Sequence, residues 1–137
     1  MLMRILSAVG LASVFAGTAV AGPLEDGEAA YQSGNFAAAF QLLNPLAAQG
    51  DADAQYDLGC LYANGEGVSQ NVAQAVVWFA AAAARGMPPA EAVLGVMYSR
   101  GLGVPQDDEL AGDWLRKAAA QNTAAASVLT SDVDLSQ

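Results

Sequence analysis

The residues able to do chemistry are few. The chain of 137 residues holds no histidine, a single cysteine (Cys60) and a single lysine (Lys117), beside 14 acidic residues. Without histidine there is no imidazole ligand for zinc, no Ser-His-Asp triad and no Cys-His dyad. Lys117 follows no Ser-x-x spacing, so serine–lysine hydrolysis also lacks its parts. Ser33-Gly34-Asn35 looks like a hydrolase triplet, but it reads as a tight turn with no neighbour to activate the hydroxyl. Asp107, Asp108 and Glu109 gather carboxylates at a predicted helix start, where they complement the helix dipole. Exposed there, they have no cause to shift toward general acid or base work. Cys60 can form no internal disulfide and has no clear basic neighbour to make it reactive. It reads as a small buried or groove-lining residue, with a mixed disulfide to a partner as its only covalent role. The expectation is a non-enzymatic chain with no catalytic residues, no metal and no cofactor.

The elements that place these residues begin after a leader. Met1 to Arg4 carries one positive charge, Ile5 to Phe15 is apolar, and Ala19-Val20-Ala21 supplies small residues before a cut at Gly22. Residues 1–21 are therefore expected to be a secretory signal peptide, with the protein periplasmic or secreted in a Gram-negative type of envelope. After cleavage no segment is expected to engage the membrane. Removing Arg4 leaves four basic residues against 14 acidic ones, a net charge of −10. Such a chain repels nucleic-acid phosphates and anionic lipid heads, so no nucleic-acid partner is expected.

The remainder repeats at a spacing of 36 residues. Ala54, Leu58, Gly59 and Tyr62 coincide with Ala90, Leu94, Gly95 and Tyr98. Gly65, Gly67 and Val68 coincide with Gly101, Gly103 and Val104, and Ala75, Trp78, Ala82 and Ala83 with Ala111, Trp114, Ala118 and Ala119. A fixed period of this size marks a stacked array. Within each period, apolar residues recur at three- and four-residue spacing on both sides of a glycine-rich break, which predicts two helices. Gly59 inside a helix costs about 1 kcal/mol relative to Ala, so its recurrence as Gly95 predicts a close helix approach. Trp78 and Tyr62 are expected to supply the large buried area between units. A shorter copy comes first: Asn35, Ala39 and Ala47 keep the 36-residue offset from Asn71, Ala75 and Ala83. Tyr31 and Gly34 match Tyr62 and Gly65 at an offset of 31, so five loop residues are missing.

These residues resemble the Sel1-like repeat family, relatives of the tetratricopeptide repeats. The family pattern A-x-x-x-L-G-x-x-Y-x-x-G-x-G-V, followed by A-x-x-W and A-A, stands here from Ala54 to Gly86 and again from Ala90 to Ala119. The resemblance implies an all-α, α/α superhelical solenoid of about three helix pairs. The expected units are 24–50, 51–86 and 87–122, with a capping helix over 123–130 and a tail over 131–137, the whole repeat domain spanning 22–130. It also implies an adaptor that holds a protein or peptide in a groove lined by the first helix of each unit. Groove positions carried across from the related repeats are Glu25, Asp26 and Gln32, then Tyr56, Asp57, Cys60 and Asn64, then Ala92, Val93, Val96 and Arg100. They run from acidic to mixed to apolar, which suits a peptide with one basic and one apolar end. Association through the solenoid ends, near Val128 and Leu129, is a further expectation and would give a homodimer. Some cysteine-rich exported proteins with these repeats are linked to β-lactam binding or hydrolysis. The alternative reading is a cysteine-poor relative of these proteins, from which the chain departs in having Cys60 alone.

Overall fold

The computed structural model describes residues 21–121. The expected signal peptide, capping helix, tail and Val128–Leu129 contact all lie outside these residues, apart from Ala21. Six helices follow one another and form three antiparallel pairs: α1 (Pro23–Gln32) with α2 (Phe36–Ala48), α3 (Ala52–Asn64) with α4 (Val72–Ala84), and α5 (Pro88–Arg100) with α6 (Asp108–Gln121). Each helix packs on its neighbours in sequence, which is the connectivity of a solenoid. The described residues contain no strand.

Local chemistry sets these boundaries. Asn35, Asp51, Asn71 and Asp107 each accept a hydrogen bond from a backbone N–H three residues on, at Ala38, Ala54, Gln74 and Leu110. Each satisfies one of the donors a helix start leaves unpaired. Pro23 and Pro88 occupy the first helical position, where a missing N–H costs nothing. Gly65 and Gly101 end α3 and α5 in the left-handed region, with φ of 69° and 66°.

The longer loops fasten one pair to the one before it. A Cβ on Gly67 would lie 2.3 Å from the carbonyl oxygen of Phe36, at the start of α2. A Cβ on Gly103 would lie 2.8 Å from that of Val72, at the start of α4. Each unit thus presses its loop backbone against the second helix of the preceding unit. The first unit has no preceding second helix among the described residues, and it is the unit whose loop is shortened to Ser33-Gly34-Asn35.

Inside each pair, a glycine on the first helix seats a large side chain from the second. Gly27 receives Leu43, Gly59 receives Phe79 and Gly95 receives Leu115, each within 2.6 Å of where a Cβ would stand. Leu43 and Phe79 are fully buried. The close approach expected at Gly59 is therefore present, and Phe79 is what fills it. Phe79 corrects the expectation about the aromatic core, since Trp78 and Tyr62 are only partly buried. They still join units: Tyr62 meets Phe40 edge-on at 5.7 Å, and Trp78 lies against the cluster of Ala39, Leu43, Ala47 and Leu58.

Candidate functional site

The first helices α3 and α5 are each flanked by two second helices and α1 by one, and each keeps some surface open. On α1 this open strip runs through Glu25, Glu28 and Gln32. On α3 it includes Asp53 and Asp57. Glu28, Tyr31, Gln32 and Asp57 line an open cleft of about 330 Å³ between the two helices. Partial burial first, and then the carboxylates of Asp53, Glu25 and Asp51, raise the pKa of Glu28 above the usual glutamate value. All the charges acting on it are therefore of its own sign.

The basic residues of the described region are engaged elsewhere or stand at the far end of the strip. Arg116 pairs with Asp113 one helical turn earlier. Lys117 lies 3.6 Å from Glu91 and 5.1 Å from the centre of the Trp114 ring. Glu91 is fully buried and also accepts two hydrogen bonds from the Gln121 amide, at 2.9 and 3.1 Å. The Arg85 guanidinium packs against Gly50. Arg100 is exposed in the last turn of α5.

The structure sorts the expected groove residues into three groups. Gln32 and Asp57 meet in the cleft, with Glu25 close enough to act on Glu28. Asn64, Val96 and Arg100 keep some exposure toward the later part of the strip. Tyr56, Cys60, Ala92 and Val93 are core residues, which corrects their assignment to a groove wall. Tyr56 packs edge-on against Phe79 at 5.5 Å. Cys60 and Val93 are fully buried in the same cluster, and Ala92 packs on Ala118. The physical reason is that α3 and α5 each lie between two second helices and against one another's neighbours, so little of their surface stays open. Buried in this way, the Cys60 thiol is also out of reach of a partner's disulfide. Asp26 is exposed but does not line the cleft.

Glu28 and Tyr31 were missed by sequence reasoning. The signal that would have found them is the glycine seat. Gly27 corresponds to Gly59 at a spacing of 32, not the 31 that the tyrosines suggest. At that spacing Glu25, Glu28 and Gln32 fall on Asp57, Cys60 and Asn64, and Asp26 falls off the strip. The same register exposes a contrast between the two interfaces. Where the second holds Cys60 with Val93 in an apolar core, the first holds Glu28 with Asp57 in an acidic cleft.

A family model described as "Sel1 repeat" matches residues 21–51, 52–87 and 88–123. Among solved structures, a Sel1 repeat protein from Oxalobacter formigenes is 40% identical with a TM-score of 0.61, over 63% of this chain and 66% of that one. A protective antigen of uropathogenic Escherichia coli strains displaying an SLR fold is 41% identical with a TM-score of 0.70, over 76% of this chain and 23% of that one. The chain thus spans under two thirds of the first and about a quarter of the second. No curated protein matches it.

Proposed function

The chain belongs to the Sel1 repeat family, whose members generally mediate protein–protein interaction, and on that premise we propose that it is a non-enzymatic adaptor of the cell envelope. It holds a partner protein or peptide along the strip of α1, α3 and α5. The basic end of the ligand lies in the cleft of Glu28, Tyr31, Gln32 and Asp57, and a short apolar segment follows toward Val96. The observation that carries this reading is the acidic cleft itself. Like charges gathered at a partly buried interface work against folding, and the equivalent position one unit later shows that an apolar core fits there. Groups retained against stability are characteristic of binding sites. The three-part leader pattern of residues 1–21 supports export to the periplasm or beyond.

Affinity for a set of extended peptides tests the proposal. Peptides with an Arg or Lys end should bind more tightly than neutral or acid-ended ones of the same length. Asp57→Ala and Val96→Ala should each weaken binding while leaving the unfolding transition in place. Equal affinity for basic and acidic ends, or variants that bind like the native chain, would sink the groove assignment.

A further inference from the structure

The third unit holds a charged cluster that the second unit copies only in part. Glu91, in the first turn of α5, is fully buried. It accepts two hydrogen bonds from the Gln121 amide and lies 3.6 Å from the Lys117 ammonium. That ammonium in turn sits 5.1 Å from the centre of the Trp114 ring. The positions 36 residues before Glu91, Trp114, Lys117 and Gln121 are Gln55, Trp78, Ala81 and Arg85. The indole is kept, the carboxylate has become an amide, and the lysine side chain is cut back to a methyl group.

Gln55 is 5% exposed. Its Nε2 donates to the Ala47 carbonyl at the end of α2, at 3.1 Å, and since a carbonyl only accepts, this fixes which end of the amide is the oxygen. The oxygen, Oε1, is buried and has no hydrogen-bond partner among the described residues. A buried acceptor without a donor is costly. In the third unit donors reach this point from Gln121 and Lys117; in the second, the Arg85 guanidinium lies against Gly50 and Ala81 carries no donor. Trp78 and Ala81 both keep part of their surface open. We propose that this notch of the second unit, between the ends of α2 and α4, takes a lysine side chain of a partner protein in the place that Lys117 fills in the third. The stem lies across the Trp78 ring, gaining cation–π attraction and apolar contact, and the ammonium donates to Gln55 Oε1. Arg85 opposes the incoming charge, while the carboxylate of Asp51, one turn before Gln55 on α3, favours it. The notch shares no residue with the α1–α3 cleft, so the two sites stand or fall separately.

Titrating Nα-acetyl-lysine methylamide into the full chain at constant ionic strength tests this, with the indole N–H signals of Trp78 and Trp114 followed by NMR. The Trp78 signal should shift and saturate, while that of Trp114, whose ring Lys117 already covers, should stay in place. The norleucine analogue, with the same stem and no ammonium, should give no such response. Ala81→Lys supplies the missing side chain from within, so it should abolish the response and raise the denaturation midpoint. Gln55→Glu, which copies Glu91, should tighten binding several-fold. Lys117→Ala should make the Trp114 signal respond as well. A silent Trp78 would overturn the proposal and leave water or Arg85 as the donor to Gln55. So would a response that the norleucine analogue matches or that Ala81→Lys leaves intact.

Discussion

Adding one methyl group at each glycine seat separates the three units by how much room the seated side chain has. Gly59→Ala gains about 1 kcal/mol of helix propensity. It also places a Cβ 2.6 to 2.8 Å from three atoms of the Phe79 ring, and Phe79 is fully buried between α3, α4 and α5. Overpacking of a closed core costs about 1–3 kcal/mol, and a rigid ring with no exposed side sits at the upper end of that range. The net expectation is a loss of about 1–2 kcal/mol, obtained by setting that cost against the propensity gain. For a domain of this size this lowers the melting temperature by about 4–8 °C per kcal/mol. Gly27→Ala meets Leu43, also fully buried but more flexible than a ring, so it should cost somewhat less. Gly95→Ala meets Leu115, which is 39% exposed, but its Cβ would also stand 3.1 Å from the Ala111 carbonyl oxygen, so it should cost less than Gly59→Ala without becoming neutral. Chemical denaturation of the three variants checks the order: Gly59 worst, Gly27 intermediate, Gly95 mildest. A Gly59→Ala chain as stable as the native one, or a Gly95→Ala chain as damaged as Gly59→Ala, would refute the reasoning.

Other outcomes follow from the same contacts. Gly67→Ala combines a left-handed backbone, φ 71°, with a Cβ driven into the Phe36 carbonyl. It should cost about 2 kcal/mol or more and should quicken exchange at the start of α2 before that of α6. Asp51→Ala removes the cap that holds the Ala54 N–H at 2.9 Å and should cost about 1 kcal/mol in thermal unfolding. Glu28→Gln should stabilise the unliganded chain at neutral pH while weakening basic peptides. The raised Glu28 pKa makes its charged form unfavourable in the fold. The advantage of Gln is therefore complete above the folded pKa, shrinks as pH falls through it, and vanishes below the unfolded value. Stability curves of the two chains that stay parallel across that window would contradict the assignment.

Much of this architecture could be read from the sequence, because the repeat supplies its own internal control. Gly65 and Gly101, and the caps at Asp51, Asn71 and Asp107, are each tied to a local backbone demand, and a local demand leaves a residue-type signature. The groove was harder to read. Whether Tyr56, Cys60 or Val93 faces solvent depends on how far α3 and α5 sink between their neighbours, and the helical period does not encode that depth. In the first unit the shortened loop blurred the register by one residue, so that Tyr31 was matched to Tyr62 and Asp26 was preferred to Glu28. The glycine seat fixes that register, but its partner Leu43 lies on the other helix and is visible only once the pair is packed. Phe79 was overshadowed by Trp78 for a similar reason. The repeated Trp draws attention, yet the residue beside it, Phe79 in one unit and Leu115 in the next, is the one the glycine admits.

The cleft between α1 and α3 as the seat of a basic ligand group is tested most directly by mapping amide chemical shifts while titrating in a short Arg- or Lys-ended peptide. The account predicts shifts concentrated at Glu28, Tyr31, Gln32 and Asp57, and lost when salt screens the charges. Shifts confined to the outer faces of α2, α4 and α6, or a response that an acid-ended peptide produces equally well, would contradict it.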